Sequence, residues 1–474
     1  MHVKQLTFLL LILFGSLRLA AQDKAPASYA PIVSAAKQFA LKPGIDFLSY
    51  SNQQNDFMLV GRLENTEKIY SLVMTDDGDE IVTASNIRVA TEVGDNHFKL
   101  AGLALAGSNL TAFVESHNRQ TGRNVMAMQA VDKNGGLTSE GMLVGYFDFI
   151  KADDPGFWHI ASSPDQKKIA LVAQLPHEVN KPERFKYFFM DENLTMTQTG
   201  EFSVGNEYAK TAGYQGLPVA DFLVSDKGDL YLIAAGSAEN RHFPLVYKGV
   251  AGSDQCVPVP VAGATIDYEC GNYRATVNPA GELIIAGYFQ KKDGTGGMDA
   301  LTSGSWNFIT SGQGIKFSTF ETPVPVLSAD HLVSGKDTYF LVGCSRAGIH
   351  ISGFKAEGNK KFEIPVARDL MAGMAMHDHS SSKAKPEEGI ASAILDSKLC
   401  LIYNDQAGKY KTGGTGLITI GLSVSNEGLA GTPVVYDSLT ADNTLLLPKF
   451  YSANADHIRV LASAENEVKV ITFR

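Results

Sequence analysis

Short apolar runs alternate with turn-forming segments along most of the chain. In the clearest example, Ser225-Asp226-Lys227-Gly228 precedes the apolar run Leu230-Tyr231-Leu232-Ile233-Ala234-Ala235. Ser and Asp side chains hydrogen-bond their own backbone and Gly adopts positive φ without strain, so the first segment predicts a tight turn. The run that follows is too short for a helix and is typical of a buried strand.

The same turn-and-strand pattern occurs eight times, at spacings of 52 to 61 residues. A second β-type run and a second turn usually follow each copy, which suggests four strands per repeat. A repeated four-stranded antiparallel unit is the architecture of a β-propeller. Each copy can be anchored on one apolar strand residue: Val60, Val114, Val172, Ile233, Ile285, Val342, Ile402 and Leu461.

We therefore predict an all-β chain that forms a single β-propeller over residues 22–474, with eight four-stranded blades. The fifth and seventh copies are the least regular, which leaves seven blades plus an extension as the alternative. The last copy stops after three strands. A strand near Pro31-Ile32-Val33 could complete that blade, so that both termini close the ring; a helix over 34–40 is the competing interpretation.

One copy resembles a known repeat. The segment Ser163-Pro164-Asp165-Gln166-Lys167-Lys168-Ile169-Ala170-Leu171-Val172 is similar to the SPDGKKIAF signature of TolB-type propeller repeats. Gln166 occupies the position at which that family prefers Gly. The resemblance implies a propeller fold, and we transfer no functional residue from it.

The N-terminus has the features of a secretory signal peptide over residues 1–21. Lys4 precedes an apolar block at 6–14, and Leu19-Ala20-Ala21 forms a small-residue cleavage pattern. We expect a soluble protein, exported to the periplasm or the extracellular space, with no membrane span after cleavage. An uncleaved membrane anchor is the alternative.

Charge narrows the range of partners. The formal net charge is −10, and removal of Lys4 and Arg18 with the signal peptide makes it −12. An acidic chain without a cluster of Lys and Arg is unsuited to binding the phosphate backbone of a nucleic acid, so we expect no nucleic-acid partner. We expect a monomer.

The four cysteines are too few and too widely spaced for a disulfide scaffold or a CxxC zinc site. Cys256 and Cys270 could form one bridge in an exported protein. Cys344 and Cys400 lie inside apolar runs and are expected to be buried, inert thiols.

The predicted loops differ between the two faces of the ring. Connections between strands A–B and C–D of each blade share one face and are short; connections B–C and D–A share the other and are longer. We call the second face the long-loop face and expect it to bind a ligand. The alternative is that the longer loops are tolerated insertions without a function. Its candidate ligand-binding residues are carboxylates, aromatics and one histidine: Asp153, Asp154, Trp158, His159, Glu207, Tyr208, Tyr214, Asp267, Tyr268, Glu269 and Tyr273. A packing role for the aromatics, or a solvated turn for the acids, is the plainer interpretation of each.

A second local signal is a methionine- and histidine-rich segment. Thioether and imidazole groups suit copper, which makes Met371, Met374, Met376, His377 and His379 candidate metal ligands. A flexible insertion is the alternative. The acidic segments 75–80 and 293–299 could supply oxygen ligands for calcium, but neither follows the EF-hand pattern. No cofactor is otherwise predicted.

Three functions remain open at this level. The first is a non-catalytic propeller that binds a protein, peptide or glycan across the long-loop face. The second is a hydrolase or lyase acting on a polymer, with carboxylates in the central funnel. The third is a copper-handling protein. Two carboxylates, or a carboxylate and a histidine, that converge at about 5–10 Å in the funnel would favour the enzyme. A flat aromatic rim without such convergence would favour binding.

Overall fold

The structure is a computed structural model. It describes residues 32–33, 37–38, 57–59, 69–75, 81–88, 92–93, 96–107, 109–132, 136, 141–149, 154, 156–178, 181–205, 217, 219–238, 241–249, 256–259, 269–292, 301–311, 314–322, 326–345, 348–369, 386–410, 416–436, 439, 444–464 and 467–474. The signal-peptide prediction for residues 1–21 lies outside these ranges.

The described residues form strands, joined by turns and two short 3₁₀ segments, Pro386–Glu388 and Ala407–Tyr410. The strands are β1 (Ile32–Val33), β2 (Lys37–Gln38), β3 (Phe57–Leu59), β4 (Ile69–Thr75), β5 (Ile81–Arg88), β6 (Glu92–Val93), β7 (Asn96–His97), β8 (Lys99–Ala106), β9 (Asn109–Asn118), β10 (Arg123–Val131), β11 (Met142–Asp148), β12 (Phe157–Ser162), β13 (Lys168–Gln174), β14 (Glu183–Asp191), β15 (Met196–Val204), β16 (Val219–Val224), β17 (Leu230–Ala238), β18 (Arg241–Gly249), β19 (Cys256–Val259), β20 (Glu269–Val277), β21 (Leu283–Lys292), β22 (Leu301–Ser311), β23 (Gly314–Thr322), β24 (Val326–Ser334), β25 (Thr338–Ser345), β26 (Gly348–Lys355), β27 (Lys360–Ala367), β28 (Ile390–Leu395), β29 (Lys398–Gln406), β30 (Leu417–Val424), β31 (Val434–Val435), β32 (Leu445–Ala453), β33 (Ile458–Ala464) and β34 (Glu467–Phe473).

Each blade is an antiparallel sheet of strands consecutive in the chain. The second to seventh blades begin at β8, β12, β16, β20, β24 and β28, and each has four strands in sequence order. The described part of the first blade is β3-β4-β5, and the last blade contains β32, β33 and β34. Eight blades are therefore present, which confirms the predicted fold class and excludes the seven-bladed alternative.

Packing between the blades closes the ring. Every interface has a buried apolar cluster made by two successive sheets, and the last cluster joins the eighth blade to the first. Representative pairs across the eight interfaces are Leu72 with Val114, Phe113 with Leu171, Val172 with Leu232, Ile233 with Ile285, Ala286 with Leu341, Val342 with Leu401, Ile402 with Val460, and Leu461 with Val73. The chain is an eight-bladed β-propeller.

The N-terminal segment lies on the outer edge of the last blade. Ile32 pairs with Thr472 and Lys37 pairs with Val468, both antiparallel, on β34. The residues at 37–38, inside the segment for which a helix was considered, form a strand. The eighth blade therefore contains strands from both ends of the chain.

Equivalent A–B turns use the same hydrogen bonds with different residues. In the third blade Gln166 N donates to Ser163 O, and in the fourth Gly228 N donates to Ser225 O, both at 2.9 Å. The closing residue has positive φ in both, 58° for Gln166 and 92° for Gly228. Gln166 thus adopts a conformation that favours Gly, where TolB-type repeats have Gly.

Cys256, Cys344 and Cys400 are buried free thiols. Cys256 is therefore not bridged to Cys270, and burial raises its pKa to about 12. Burial also raises the pKa of Cys344 and Cys400, which suits the inert role predicted for them. Within the described residues, no helix is long and apolar enough to span a membrane.

Candidate functional site

The innermost strand of each blade surrounds the central channel, and several of these strands carry polar residues at one level. His159, Asp221 and His331 pair directly with the repeat anchors Val172, Ile233 and Val342 on the second strands. Because the anchors are equivalent positions of the repeat, their partners lie at equivalent depth in the ring.

Two further blades contribute at nearly the same level. Arg274 pairs with Ala286 and Ser392 pairs with Leu401, each one residue from its anchor. Tyr451 of the eighth blade lies beside this set through a hydrogen bond described below. We name the residues His159, Asp221, Arg274, His331, Ser392 and Tyr451 the polar arc. It extends over blades three to eight.

Irregular pairing precedes three members of the polar arc. The register of the inner strand shifts between Val219 and Asp221, between Glu269 and Asn272, and between Ala329 and His331. A β-bulge changes the direction of the side chains that follow it, and bulges are frequent beside functional sites. Asp221, Arg274 and His331 each lie within two residues of such a shift.

Asp221 is the one acid of the polar arc, and its side chain is exposed. Its surroundings disfavour the charged form, and this desolvation raises the pKa of the carboxyl to about 6, although the Phe222 amide and the charge of Arg274 act in the opposite direction. Tyr273 on the next inner strand is half-buried, and burial together with the charge of Asp221 raises its pKa to about 12. Asp221 therefore faces the fifth blade.

Arg274 is held by main-chain groups. Its Nε donates to Asp330 O and its Nη1 donates to Tyr273 O, both at 3.0 Å. The Asp330 carboxylate, in turn, accepts a hydrogen bond from Ser328 Oγ at 3.0 Å. These contacts fix the guanidinium between the inner strands of the fifth and sixth blades.

His331 and Tyr451 meet across the inner edge of the seventh blade. Tyr451 Oη lies 3.2 Å from His331 Nδ1 and 3.3 Å from Ser392 Oγ. The two rings are 5.7 Å apart and nearly perpendicular. Burial, with a smaller effect of Arg274, lowers the pKa of His331, while Asp330 opposes it. The imidazole is thus neutral near neutral pH, and it shares a hydrogen bond with the Tyr451 hydroxyl.

His159 forms the other end of the polar arc. Its ring centroid lies 4.8 Å from that of Phe222, and its Nε2 is buried without a hydrogen-bond partner. Burial lowers its pKa to about 4, against a hydrogen bond with Gln174 that favours the charged form. His159 is therefore a neutral, packed side chain.

The mouth of the channel on the long-loop face is partly apolar. Phe157 and Leu445 begin the inner strands β12 and β32 and are 61% and 37% exposed. Lys99 begins β8 and forms an ion pair with Glu115 at 2.9 Å. Exposed aromatic surface beside convergent polar groups is characteristic of ligand sites.

The structure places four predicted site residues in different surroundings. Trp158 packs 5.4 Å from Phe147, and its Nε1 donates to Asn124 Oδ1 at 2.9 Å. Asp154 Oδ2 accepts from the His177 amide at 2.8 Å. His159 and Tyr273 lie at the channel, beside Phe222 and Asp221 respectively.

The remaining predicted residues lie either on β20 or outside the described residues. Glu269 pairs with Gln290 in β20. The following lie outside the described residues: Asp153, Glu207, Tyr208, Tyr214, Asp267, Tyr268, Met371, Met374, Met376, His377 and His379. The calcium candidates 76–80 and 293–299 also lie outside. Among the residues that the structure describes, no group of three His, Cys, Asp or Glu side chains could hold a metal ion.

A buried hydrogen-bond network holds both ends of the connection between the sixth and seventh blades. Arg368 Nε donates to Asn404 O at 2.8 Å, and Asn404 Nδ2 donates to Glu387 O at 3.0 Å. The buried Asp405 carboxylate accepts from the Asp369 amide at 2.7 Å. This network positions the residues that flank the connection on the long-loop face.

Asp221, Arg274, His331 and Tyr451 were not among the predicted site residues, because the candidates were taken from the loops. The signal that could have found the first three is an ionisable residue in the strand that precedes each anchored strand. Such residues interrupt otherwise apolar runs, as in Val219-Ala220-Asp221-Phe222-Leu223-Val224.

Comparisons with known proteins support no closer assignment. No known family profile matches the chain, and no curated protein matches it. Among solved structures, polysaccharide lyase Uly1 is 11% identical over 96% of this chain and 94% of its own, with a TM-score of 0.42.

Two further solved structures are similarly distant. The WD40 domain of SCAP from fission yeast is 11% identical over 94% of this chain and 98% of its own, with a TM-score of 0.41. The β-propeller domain of the Trilobed protease from Pyrococcus furiosus is 9% identical over 79% and 93%, with a TM-score of 0.37. The assignment of this chain as a propeller rests on its own sheets and interfaces.

Proposed function

We propose that the chain is an exported β-propeller that binds a glycan at the long-loop end of its central channel. The observation that carries the proposal is the arrangement of Asp221, Arg274 and His331 at nearly the same depth on three successive inner strands. Function in a propeller depends on such a site rather than on the fold. The signal-peptide pattern at residues 1–21 supports export.

Both components of a glycan site are present. Hydroxyl-rich ligands need hydrogen-bond acceptors and donors together, and the polar arc offers a carboxylate, a guanidinium, an imidazole and a phenol. The exposed Phe157 ring at the mouth offers an apolar surface for the C–H face of a sugar. The sequence by itself is equally compatible with a protein or peptide ligand. The location of these groups on the inner strands around the channel favours a slender chain or the end of a chain.

The test is a glycan-array and calorimetry experiment with residues 22–474. We expect at least one oligosaccharide to bind, and Asp221→Asn to weaken that binding about tenfold or more, as expected when a charged hydrogen-bond partner of the ligand becomes neutral. The matched control is Asp337→Asn, an exposed acid in the A–B turn of the sixth blade on the opposite face, which should leave binding unchanged. Equal effects of the two substitutions would reject the channel site.

A second candidate function is a hydrolase or lyase acting on a polymeric glycan. The observation that favours it is the hydrogen-bonded pair His331 and Tyr451 on inner strands of the same ring as Asp221, a carboxyl group whose pKa is raised to about 6. Groups of this kind serve as acids and bases in catalysis. Incubation with each bound glycan, followed by measurement of new reducing ends, tests the idea. Recovery of intact glycan after prolonged incubation at pH 5 to 8 would reject the enzyme and leave binding as the function.

A further inference from the structure

A histidine at the long-loop end of the third blade is held by a buried carboxylate. His177 follows β13, and its Nδ1 contacts Glu183 Oε1 on β14. The side chain of Glu183 is 1% exposed, whereas that of His177 is 19% exposed. An ionised carboxylate accepts hydrogen bonds and donates none, so Nδ1 donates to it. The contact therefore fixes the ring and leaves Nε2 for another partner.

Main-chain contacts hold the same segment on both sides. Asp154 Oδ2 accepts from the His177 amide at 2.8 Å. Leu175 N donates to Arg184 O at 2.9 Å, which continues the pairing of β13 with β14 beyond the end of the ladder. Glu178, the residue after His177, pairs with Arg184 at 2.7 Å. The imidazole is thus carried by an ordered backbone and loses little freedom when it binds a ligand.

Phe157 faces the same space as the histidine and its carboxylate. Phe157 pairs with Gln174, and Gln174 pairs with Phe185, so these three side chains share one face of the sheet. Glu183 precedes Phe185 by two residues on β14 and lies on that face as well. Gln174 Nε2 donates to Leu217 O, just before the fourth blade, at 3.0 Å. All of these groups therefore face the space between the third and fourth blades.

An exposed ring and a fixed imidazole suit a sugar chain. Phe157 is 61% exposed and offers an apolar surface for the C–H face of a pyranose. Within the described part of the chain, His177 Nε2 has no partner, and a ring nitrogen exchanges hydrogen bonds readily with a hydroxyl. His177 lies three residues beyond the Phe157–Gln174 pair, which is up to about 10 Å along a strand. Neighbouring sugars of one chain can contact both side chains.

The second blade has a similar histidine in a different setting. Lys99 begins β8 as Phe157 begins β12, and it pairs with Glu115. Glu115 binds Lys99 Nζ at 2.9 Å and His117 Nε2 at 3.3 Å. A lysine thus replaces the aromatic ring, and the carboxylate is shared between two groups. His117 is therefore a matched control for His177.

We propose that Phe157 and His177 form a sugar-binding subsite at the long-loop end of the space between the third and fourth blades. One pyranose contacts the Phe157 ring, and a hydroxyl of a neighbouring sugar bonds to His177 Nε2. Glu183 and Asp154 are positioning residues. This inference rests on the proposed function as a glycan-binding propeller, and it adds a contact region outside the polar arc that requires an oligosaccharide.

The experiment measures the binding of glucose, mannose, galactose and xylose tetrasaccharides to residues 22–474 by calorimetry. We expect at least one to bind, and Phe157→Ala to weaken it about tenfold through lost apolar contact. Asn can keep an N–H near the position of Nδ1 but lacks Nε2, so His177→Asn separates ligand binding from the contact with Glu183. It should weaken binding about fivefold, whereas His117→Asn should leave it unchanged.

The positioning role has its own test. Glu183→Gln keeps an acceptor for Nδ1 and should lose less affinity than Glu183→Leu. Equal losses in these two variants would reject the positioning role of the carboxylate. Circular dichroism checks that each variant is folded; should Glu183→Leu unfold the protein, Phe157→Ala and His177→Asn still decide the question of the subsite.

The outcomes separate the subsite from the proposed function. Wild-type affinity for a bound tetrasaccharide in either Phe157→Ala or His177→Asn would overturn the subsite and leave a glycan-binding propeller. An equal loss in His117→Asn would overturn it as well. Absence of binding by every oligosaccharide would overturn the proposed function, and the subsite with it.

Discussion

Asp221 and Ile233 face each other on paired strands of the fourth blade, yet the two positions behave differently around the ring. The position of Ile233 is apolar and almost completely buried in the second to eighth blades: Val114, Val172, Ile233, Ile285, Val342, Ile402 and Leu461. The partners of these anchors on the inner strands include a histidine, an aspartate and an alanine.

The physical reason is the difference in neighbours. A second strand is enclosed by its own sheet and by the blades on both sides, so only an apolar side chain of suitable volume fits. An inner strand has the channel on one edge, where a polar side chain can meet water or a ligand. A position that stays apolar in every repeat therefore indicates packing between blades. A paired inner-strand position that differs between repeats indicates the candidate site.

The largest effect should come from the apolar member of the pair. Ile233→Ala removes a side chain that is 0% exposed and joins the fourth and fifth blades, and we expect a loss of about 3 kcal/mol in the free energy of unfolding. Leu429→Ala, at a side chain 71% exposed, is the control and should change stability by less than about 0.5 kcal/mol. Urea denaturation measures both. Similar small losses would contradict the packing role of the anchor.

A smaller effect on stability should come from substitutions in the equivalent A–B turns of the third and fourth blades. Gly228→Ala places a methyl group at a φ of 92°, in ordinary van der Waals contact with Lys168 at 3.8 Å, and should cost about 1 kcal/mol through backbone strain. Gln166→Gly relieves the same strain and should raise stability by up to about 1 kcal/mol. Thermal unfolding should show the two variants shifted in opposite directions; shifts of the same sign would refute the equivalence of the turns.

The smallest effect on stability should come from the polar member of the pair. The pKa of Asp221 is about 6 in the folded protein against an ordinary value of 3.8, so its contribution to stability is present below about pH 4 and is lost as the pH rises through 6. Because this carboxyl is accessible to solvent, we expect a loss below about 1 kcal/mol.

Asp221→Asn removes this titration. The difference in unfolding free energy between wild type and variant should therefore change between pH 4 and 6 and be constant from pH 7 to 8, with the variant the more stable at pH 7. Denaturation across this range measures it. A difference that does not vary with pH would show that Asp221 is normally solvated.

The fold was largely predictable because each repeat contains the apolar strand residues and the turn that propeller packing requires. The buried anchors and their turns indicated eight blades, and the structure has them. The candidate site was less predictable. Tyr273 and His159 were selected as aromatic and imidazole groups near loops, and they lie beside Asp221 and Phe222. Arg274 and His331 were not selected, since an isolated basic residue or histidine within a strand has no distinctive spacing.

Local sequence alone determined the strands, the turns and their repetition, because hydrophobic alternation and turn chemistry act between residues close in the chain. Tertiary structure decided which polar residues meet. His331 and Tyr451 are separated by 120 positions and are joined by a hydrogen bond across the seventh blade. Such a contact depends on ring closure, on strand register and on three irregular pairings, none of which is encoded near the residues that it joins.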